Sequence, residues 1–443
     1  MHNNFPAEEI AASPSSQLER ATLSKILWRL LPFLFLLYIV AYLDRINVGF
    51  AALQMRSQLG FNDAVYGLGA GIFFAGYVVF QIPSNLILQR AGARRSISAL
   101  MIVWGVISSC MLFVRTPHQF YIMRFLLGLA EAGFFPGVIF YMRGWFPASV
   151  RARAIAFFMT AAPLSGVIGG PLSGALLGLN QKGGLAGWQW LFLIEGLPAI
   201  ILGVIVFFVF VDLPQLAAWL HEDERDWLRA TLEQELVAQP AAQNKNSFSA
   251  FRNPYVWLLA LAYVGLNTGT YGISLWLPSV IHKISTSSNL AIGFISAIPY
   301  LFAAVAMVLV GIHSDRSGER RWHIAICAFT AAIAFVAAAY SNSLLLVVMA
   351  LSVALAGVSS MTGPFWATPA SLLAPVEGAA GIALINSVGT CGGFLGPYVI
   401  GLVRNATGGF KGGFLVVGAA VCLSAIMALL VPQPEKNTDA LKT

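Results

Sequence analysis

Five ionisable side chains stand inside long apolar stretches of this chain: Asp44, Arg45, Arg124, Glu131 and Glu195. A charge at bilayer depth costs at least ~2.5–3.5 kcal/mol on insertion scales, so each needs a partner or a task. Arg45 and Arg124 stay protonated in any protein setting and are therefore fixed positive charges. A guanidinium fork grips a carboxylate through two parallel hydrogen bonds, and two such forks suit an organic anion. Asp44 and Glu131 can gain or lose a proton, and which they do depends on whether an anion has taken the neighbouring Arg. That dependence is the physical requirement for coupling anion movement to proton movement. The competing reading is that Asp44–Arg45 and Arg124–Glu131 only neutralise each other and hold helices together. Glu195 sits beside Gly196 and Pro198 and is expected to satisfy backbone near a helix break. No His lies deep in an apolar run, and Cys110, Cys327, Cys391 and Cys422 stand singly, so no proton relay through His, metal site, redox site or cofactor is expected.

The elements that must position these groups follow from composition. Of 443 residues, 58% are hydrophobic and 10% charged, with mean hydropathy +0.76, against roughly 45–50% and about 25% in soluble proteins. Such a chain has too little polar surface to cover one aqueous core, which excludes a water-soluble enzyme, a disordered chain and a disulfide-held secreted domain. Apolar segments fall at about 26–53, 64–88, 96–114, 118–141, 152–180 and 188–211, then 254–281, 289–312, 322–340, 343–373, 378–403 and 412–431. Each can span ~30 Å of hydrocarbon at 1.5 Å per residue, and lipid leaves the backbone no partners outside a helix. The expected fold class is an all-α polytopic membrane protein with twelve transmembrane helices in two six-helix bundles. The expected divisions are a cytoplasmic tail at 1–24, bundles at 25–211 and 253–431, a polar linker at 212–252 and a second tail at 432–443.

Orientation comes from the basic residues. With twelve spans both ends share one side, and that side collects 18 of the 26 Lys and Arg, against 6 on the other. The bias predicts cytoplasmic termini, and it accounts for the net charge of +7 without nucleic acid as a partner.

An internal repeat supports duplication. Asn85-LILQRAGAR-Arg95 and Gly311-IHSDRSGER-Arg321 lie 226 residues apart, and so do Gly170-Pro171 of a GxxxGPxxG string and Gly396-Pro397. Positions 226 on from Asp44, Arg45, Arg124 and Glu131 are Thr270, Tyr271, Ala350 and Gly357, so ionic chemistry belongs to the first half and neutral groups to the second. Asn386 is the best neutral candidate, since an amide both donates and accepts. Thr390, Asn267, Thr270 and Tyr271 follow, with Trp276 and Trp366 as stacking surfaces. Helix direction places Asp44, Arg45, Arg124 and Glu131 at similar depth, where they are expected to line one cavity. Parallel halves around a central cavity are a transporter architecture. A membrane-embedded enzyme needs a nucleophile with its base or clustered metal ligands, and a receptor usually carries a folded soluble domain; neither is found, and 212–252 is too short for the latter.

The loop pair resembles the G-x-x-x-D-R-x-G-x-R-R signature of the major facilitator superfamily. The second copy matches through Gly311, Asp315, Arg316, Gly318, Arg320 and Arg321; in the first, Asn85 replaces the Gly and Gln89 the Asp. Asp315, Arg316, Arg320 and Arg321 are expected to form a cytoplasmic gate or helix-end clamp. YLDRINVGFA (42–51), RFLLGLAEAGFFPG (124–137), WFPASVRARA (145–154) and GWQWLFLIEGLPA (187–199) are similar to blocks of the anion:cation symporter family. The resemblance implies proton-coupled import of a small organic anion such as tartrate or a sugar acid across a bacterial inner membrane, by a monomer. It implies proton coupling by Asp44 and Glu131, and substrate binding by Arg45, Arg124 and Asn386. An aromatic acid of the phthalate or hydroxyphenylacetate type, sodium coupling and anion exchange remain open at this point.

Overall fold

The computed structural model describes residues 14–238, 249–372 and 375–432. Most of the two expected tails, and Lys245, Lys436 and Lys442, lie outside the described residues. Among the described residues, twelve helices are long and apolar enough to cross a membrane. They are α1 (Gln17–Leu59), α2 (Asp63–Ala91), α3 (Ala93–Phe113), α4 (Pro117–Arg143), α5 (Ala148–Leu177), α6 (Gly187–Val209), α7 (Pro254–Ile284), α8 (Asn289–Ser317), α9 (Arg321–Tyr340), α10 (Leu344–Pro369), α11 (Ala380–Thr407) and α12 (Lys411–Leu430). No strand occurs among the described residues. The apolar faces that meet no other helix, with Phe208, Leu309, Ile333 and Leu345 more than half exposed, are the surface that lipid covers.

Local sequence explains where helices start and break. Thr116 and Gln119 form a capping box with Pro117 at the first turn of α4. Asn62, Asn253 and Ser288 cap α2, α7 and α8 through side-chain oxygens. Gly318 ends α8 in the left-handed region at φ 66°. Helix α4 is interrupted immediately after Glu131, between segments Pro117–Glu131 and Phe134–Arg143. Pro136 has no N–H for the Ala132 carbonyl and its ring crowds that carbonyl, which breaks the helix there. Pro163 acts likewise on α5, which is interrupted at Thr160.

Helix α1 begins well before the expected start near residue 26, and close to that point it meets a linker helix, Glu222–Ala238. Lys25 bridges to Glu224 at 2.5 Å, and Arg151 at the start of α5 bridges to Glu235 at 2.6 Å. Between the two halves, α2 packs on α11, α5 on α8 and α1 on α7. Glycines set the approach. A Cβ on Gly170 of α5 would stand 2.5 Å from the Gly293 carbonyl of α8, and one on Gly67 of α2 would stand 2.9 Å from the Gly401 Cα of α11. These close crossings gather at the end of the molecule remote from the termini, and they enclose a cavity at mid-depth.

Candidate substrate cavity and its buried charges

The cavity lies between the halves and has a volume of about 160 Å³. Its wall carries a cluster of phenols, Tyr38, Tyr42, Tyr77, Tyr263, Tyr271 and Tyr300, beside Phe74, Phe135 and Trp366. The second half adds Asn267, Thr270, Asn386 and Thr390. Arg45 is the one charged side chain of the wall among the described residues.

Arg45 is held from both halves. Its Nη2 and Nε donate to the same oxygen of Glu131, Oε2, at 2.8 and 3.3 Å. Its Nη1 donates to the Tyr271 hydroxyl at 3.2 Å. Tyr271 stands 226 residues on, so the repeat counterparts meet across the molecule. The guanidinium also lies 5.4 Å from the ring centroids of Phe73 and Tyr77. Glu131 is 1% exposed, and its Oε1 has no partner.

The four charges do not line the cavity together. Consecutive residues of a helix project about 100° apart, so Asp44 and Arg45 cannot both face the same space. Asp44 turns into the first bundle, where Oδ1 accepts from Asn47 at 3.1 Å and from the Ser108 hydroxyl, while Oδ2 has no partner. Arg124 is fully buried behind Phe73, 4.9 Å from its ring centroid. Its Nε reaches the Gly69 carbonyl at 3.4 Å, and both terminal nitrogens lack partners. The pairings Asp44–Arg45 and Arg124–Glu131 do not occur among the described residues; the ion pair is Arg45–Glu131, between α1 and α4.

In the second half Asn386 and Thr390 reach the cavity wall, although the Thr390 hydroxyl is already given to the Asn386 carbonyl at 2.7 Å. Asn267 donates to the Gly389 carbonyl at 3.0 Å and ties α7 to α11. Trp366 lines the cavity and packs against Tyr263. Trp276 does not line it: its indole donates to the Pro397 carbonyl at the sealed end. Glu195 accepts from the Ser173 hydroxyl of α5 at 2.7 Å, a side-chain partner where backbone was expected.

At the end bearing the termini, Asp315 pairs with Arg320 of its own loop at 2.7 Å, and Arg320 also reaches Ser314. Arg316 is exposed and Arg321 half-buried, so in this conformation the loop is clamped on itself. In the first copy, where Gln89 stands in place of the acid, Asp212 follows α6 and accepts the Arg94 backbone N–H at 2.8 Å, at the start of α3.

Sequence reasoning passed over a cluster at the sealed end. Asp63 at the start of α2 pairs with Arg56 of α1 and, at 3.1 Å, with Arg404 of α11. Arg404 lies 4.2 Å from the Phe410 ring centroid and 5.3 Å from that of Trp276. Beside it the Tyr66 hydroxyl donates to the Leu275 carbonyl at 2.6 Å. The available signal was that three charges, two of them Arg, occupy the side of the protein otherwise poor in basic residues.

Comparison with known proteins agrees with this architecture. A "Putative tartrate transporter" of Agrobacterium vitis is 48% identical over 429 residues, 97% of this chain and 95% of that protein. The "Putative metabolite transport protein NicT" of Pseudomonas putida is 42% identical over 93% of this chain and 95% of its own length. Among solved structures, a bacterial homologue of the human lysosomal transporter Spinster in an inward-facing, occupied conformation superposes with TM-score 0.75 at 18% identity, over 90% of this chain and 96% of that one. The model of the Major Facilitator Superfamily matches residues 34–288 and 280–443. With twelve helices, a cavity between two bundles and relatives that are transporters across nearly its full length, the chain belongs to the Major Facilitator Superfamily and is a transporter.

Proposed function

We propose that the protein is a proton-coupled symporter that imports a small organic anion by alternating access, with tartrate or a hydroxylated sugar acid as the substrate class. The single observation that carries this reading is Arg45: a guanidinium on the cavity wall, held by one carboxylate oxygen behind and one phenol in front. A substrate carboxylate entering the cavity competes with Glu131 for that fork. Glu131 then sits at lipid depth without its cation, a costly state that a proton relieves. Anion and proton therefore bind together. Tyr271 belongs to the other half, so replacing its contact with Arg45 by a substrate joins substrate arrival to movement of the halves. Hydroxyls on the cargo meet the surrounding phenols and the amide of Asn386.

The basic-residue bias orients both termini toward the cytoplasm of a bacterial inner membrane, which makes the sealed end periplasmic and the conformation inward-facing. One chain lines the whole cavity, which supports a monomer as the transporting unit. The aromatic wall of Phe74, Tyr263 and Trp366 favours a second reading, an aromatic carboxylic acid in the same place. A single cavity-facing guanidinium is compatible with either. Proteoliposomes given an inward acid gradient test the proposal: labelled tartrate or a sugar acid accumulates above its external concentration, and accumulation collapses with a protonophore. Uptake that ignores the gradient for every organic acid tried rejects symport.

A further inference from the structure

A second carboxyl of the first bundle lies next to Asp44. Glu195 of α6 is 4% exposed and Asp44 of α1 is fully buried. The donors that reach them are neutral: Ser173 to Glu195 at 2.7 Å, Ser108 and Asn47 to Asp44. Neither carboxyl has a Lys or Arg within ion-pair distance among the described residues. The Asn47 amide stands between them, bonded to Asp44 at 3.1 Å and facing Glu195. Three acceptor atoms of this cluster, Asp44 Oδ2, Asn47 Oδ1 and Glu195 Oε2, are buried with no donor. Two neighbouring buried carboxylates with no cation bonded to either are costly in such an interior, and a proton on the pair removes one charge and supplies a missing donor at once. Helices α1, α3 and α5 pack on α6 here, and the other charges acting on the cluster are Glu131 and Arg124 of α4, which reach Asp44. The cluster is separated from the cavity, because Asp44 and Arg45 diverge around α1 and only Arg45 reaches the wall.

We propose that Glu195 is a second proton-holding carboxyl of the transport cycle, its protonation coupled to that of Asp44 across the Asn47 amide. The inference rests on the proton-symport reading above. The chemistry is proton binding alone: the proton that binds the Asp44–Glu195 pair from one side of the membrane is released to the other, with no covalent change. Glu195→Gln keeps an acceptor for Ser173 and removes the titrating group. In proteoliposomes, uptake of labelled tartrate is measured under an acid gradient across external pH 5 to 8, for wild type and variant side by side. The expected result is a tenfold or greater loss of concentrative uptake and a flattened pH profile. A Glu195→Gln profile superimposable on wild type overturns the inference while leaving symport intact. A wild type that ignores the gradient overturns the symport reading itself, so the two failures are distinguishable. Ser173→Ala decides the matter where Glu195→Gln does not fold. It removes the hydroxyl on Glu195 with little change in volume and is expected to displace the pH profile; an unmoved profile overturns the inference.

Discussion

Glu131→Gln offers the sharpest perturbation of the Arg45 switch. The glutamine keeps the size and an acceptor oxygen beside Arg45 but removes the charge that competes with cargo. In the structure both Arg45 nitrogens converge on a single Glu131 oxygen, at 2.8 and 3.3 Å. Bare attraction at ~4 Å and an effective dielectric near 20 is ~4 kcal/mol, most of it offset by desolvation. The net difference is better taken from hydrogen bonds: about 1.5–3 kcal/mol for one to a charged group against about 0.5–1.5 for a neutral one. The substitution therefore frees Arg45 by ~1–2 kcal/mol, a factor of roughly 5–30 in substrate affinity. Calorimetric titration of detergent-purified protein at pH 7 should show that tightening, and affinity should no longer change between pH 5 and 8. Concentrative uptake under an acid gradient should be abolished in the same variant. Retained gradient-driven accumulation, or wild-type affinity with wild-type pH dependence, refutes the exchange of partners at Arg45.

Other outcomes follow from the same geometry. Arg45→Lys should lose at least tenfold in affinity by calorimetry, since an ammonium cannot grip the substrate carboxylate through two parallel hydrogen bonds as the guanidinium fork does. Asp63→Asn weakens the Arg56–Asp63–Arg404 cluster and should quicken amide hydrogen exchange over the first turns of α2, residues 63–71, because α2 and α11 then part more readily. Gly170→Val places a side chain where the Gly293 carbonyl stands 2.5 Å from a Cβ, and should lower both thermal stability and transport. At the linker, burial works to raise the Glu224 carboxyl, but the Lys25 ammonium and the His221 N–H outweigh it and hold that carboxyl below its ordinary 4.5. The contact is therefore full at neutral pH and lost as pH falls through the depressed value. Hydrogen exchange over residues 222–238 should quicken on acidification, and Lys25→Ala should bring that behaviour to pH 7, at a cost of ~0.2–1 kcal/mol.

The twelve spans were legible in the sequence because apolar length is a direct requirement of lipid, and the repeat offset of 226 anticipated that Arg45 and Tyr271 correspond. What helical depth could not settle was azimuth. Asp44, Arg45, Arg124 and Glu131 share a level, but the 100° step between Asp44 and Arg45 sends one into the bundle and the other to the cavity, and Phe73 covers Arg124. Asn386, which stands out in the sequence as an amide in an apolar helix, lines the cavity wall. The Asp63 cluster escaped notice for the opposite reason: its members lie near loops, where charges need no explanation until α11 brings Arg404 onto α2.

Proton uptake on anion binding tests the account most directly. Purified protein in weakly buffered detergent solution at pH 7 is titrated with tartrate, or with whichever acid in an organic-acid panel most raises its melting temperature through mass action. The solution should turn alkaline as each bound anion draws a proton onto the protein, and Glu131→Gln should abolish the signal. An anion that binds tightly with no change in proton occupancy would contradict it.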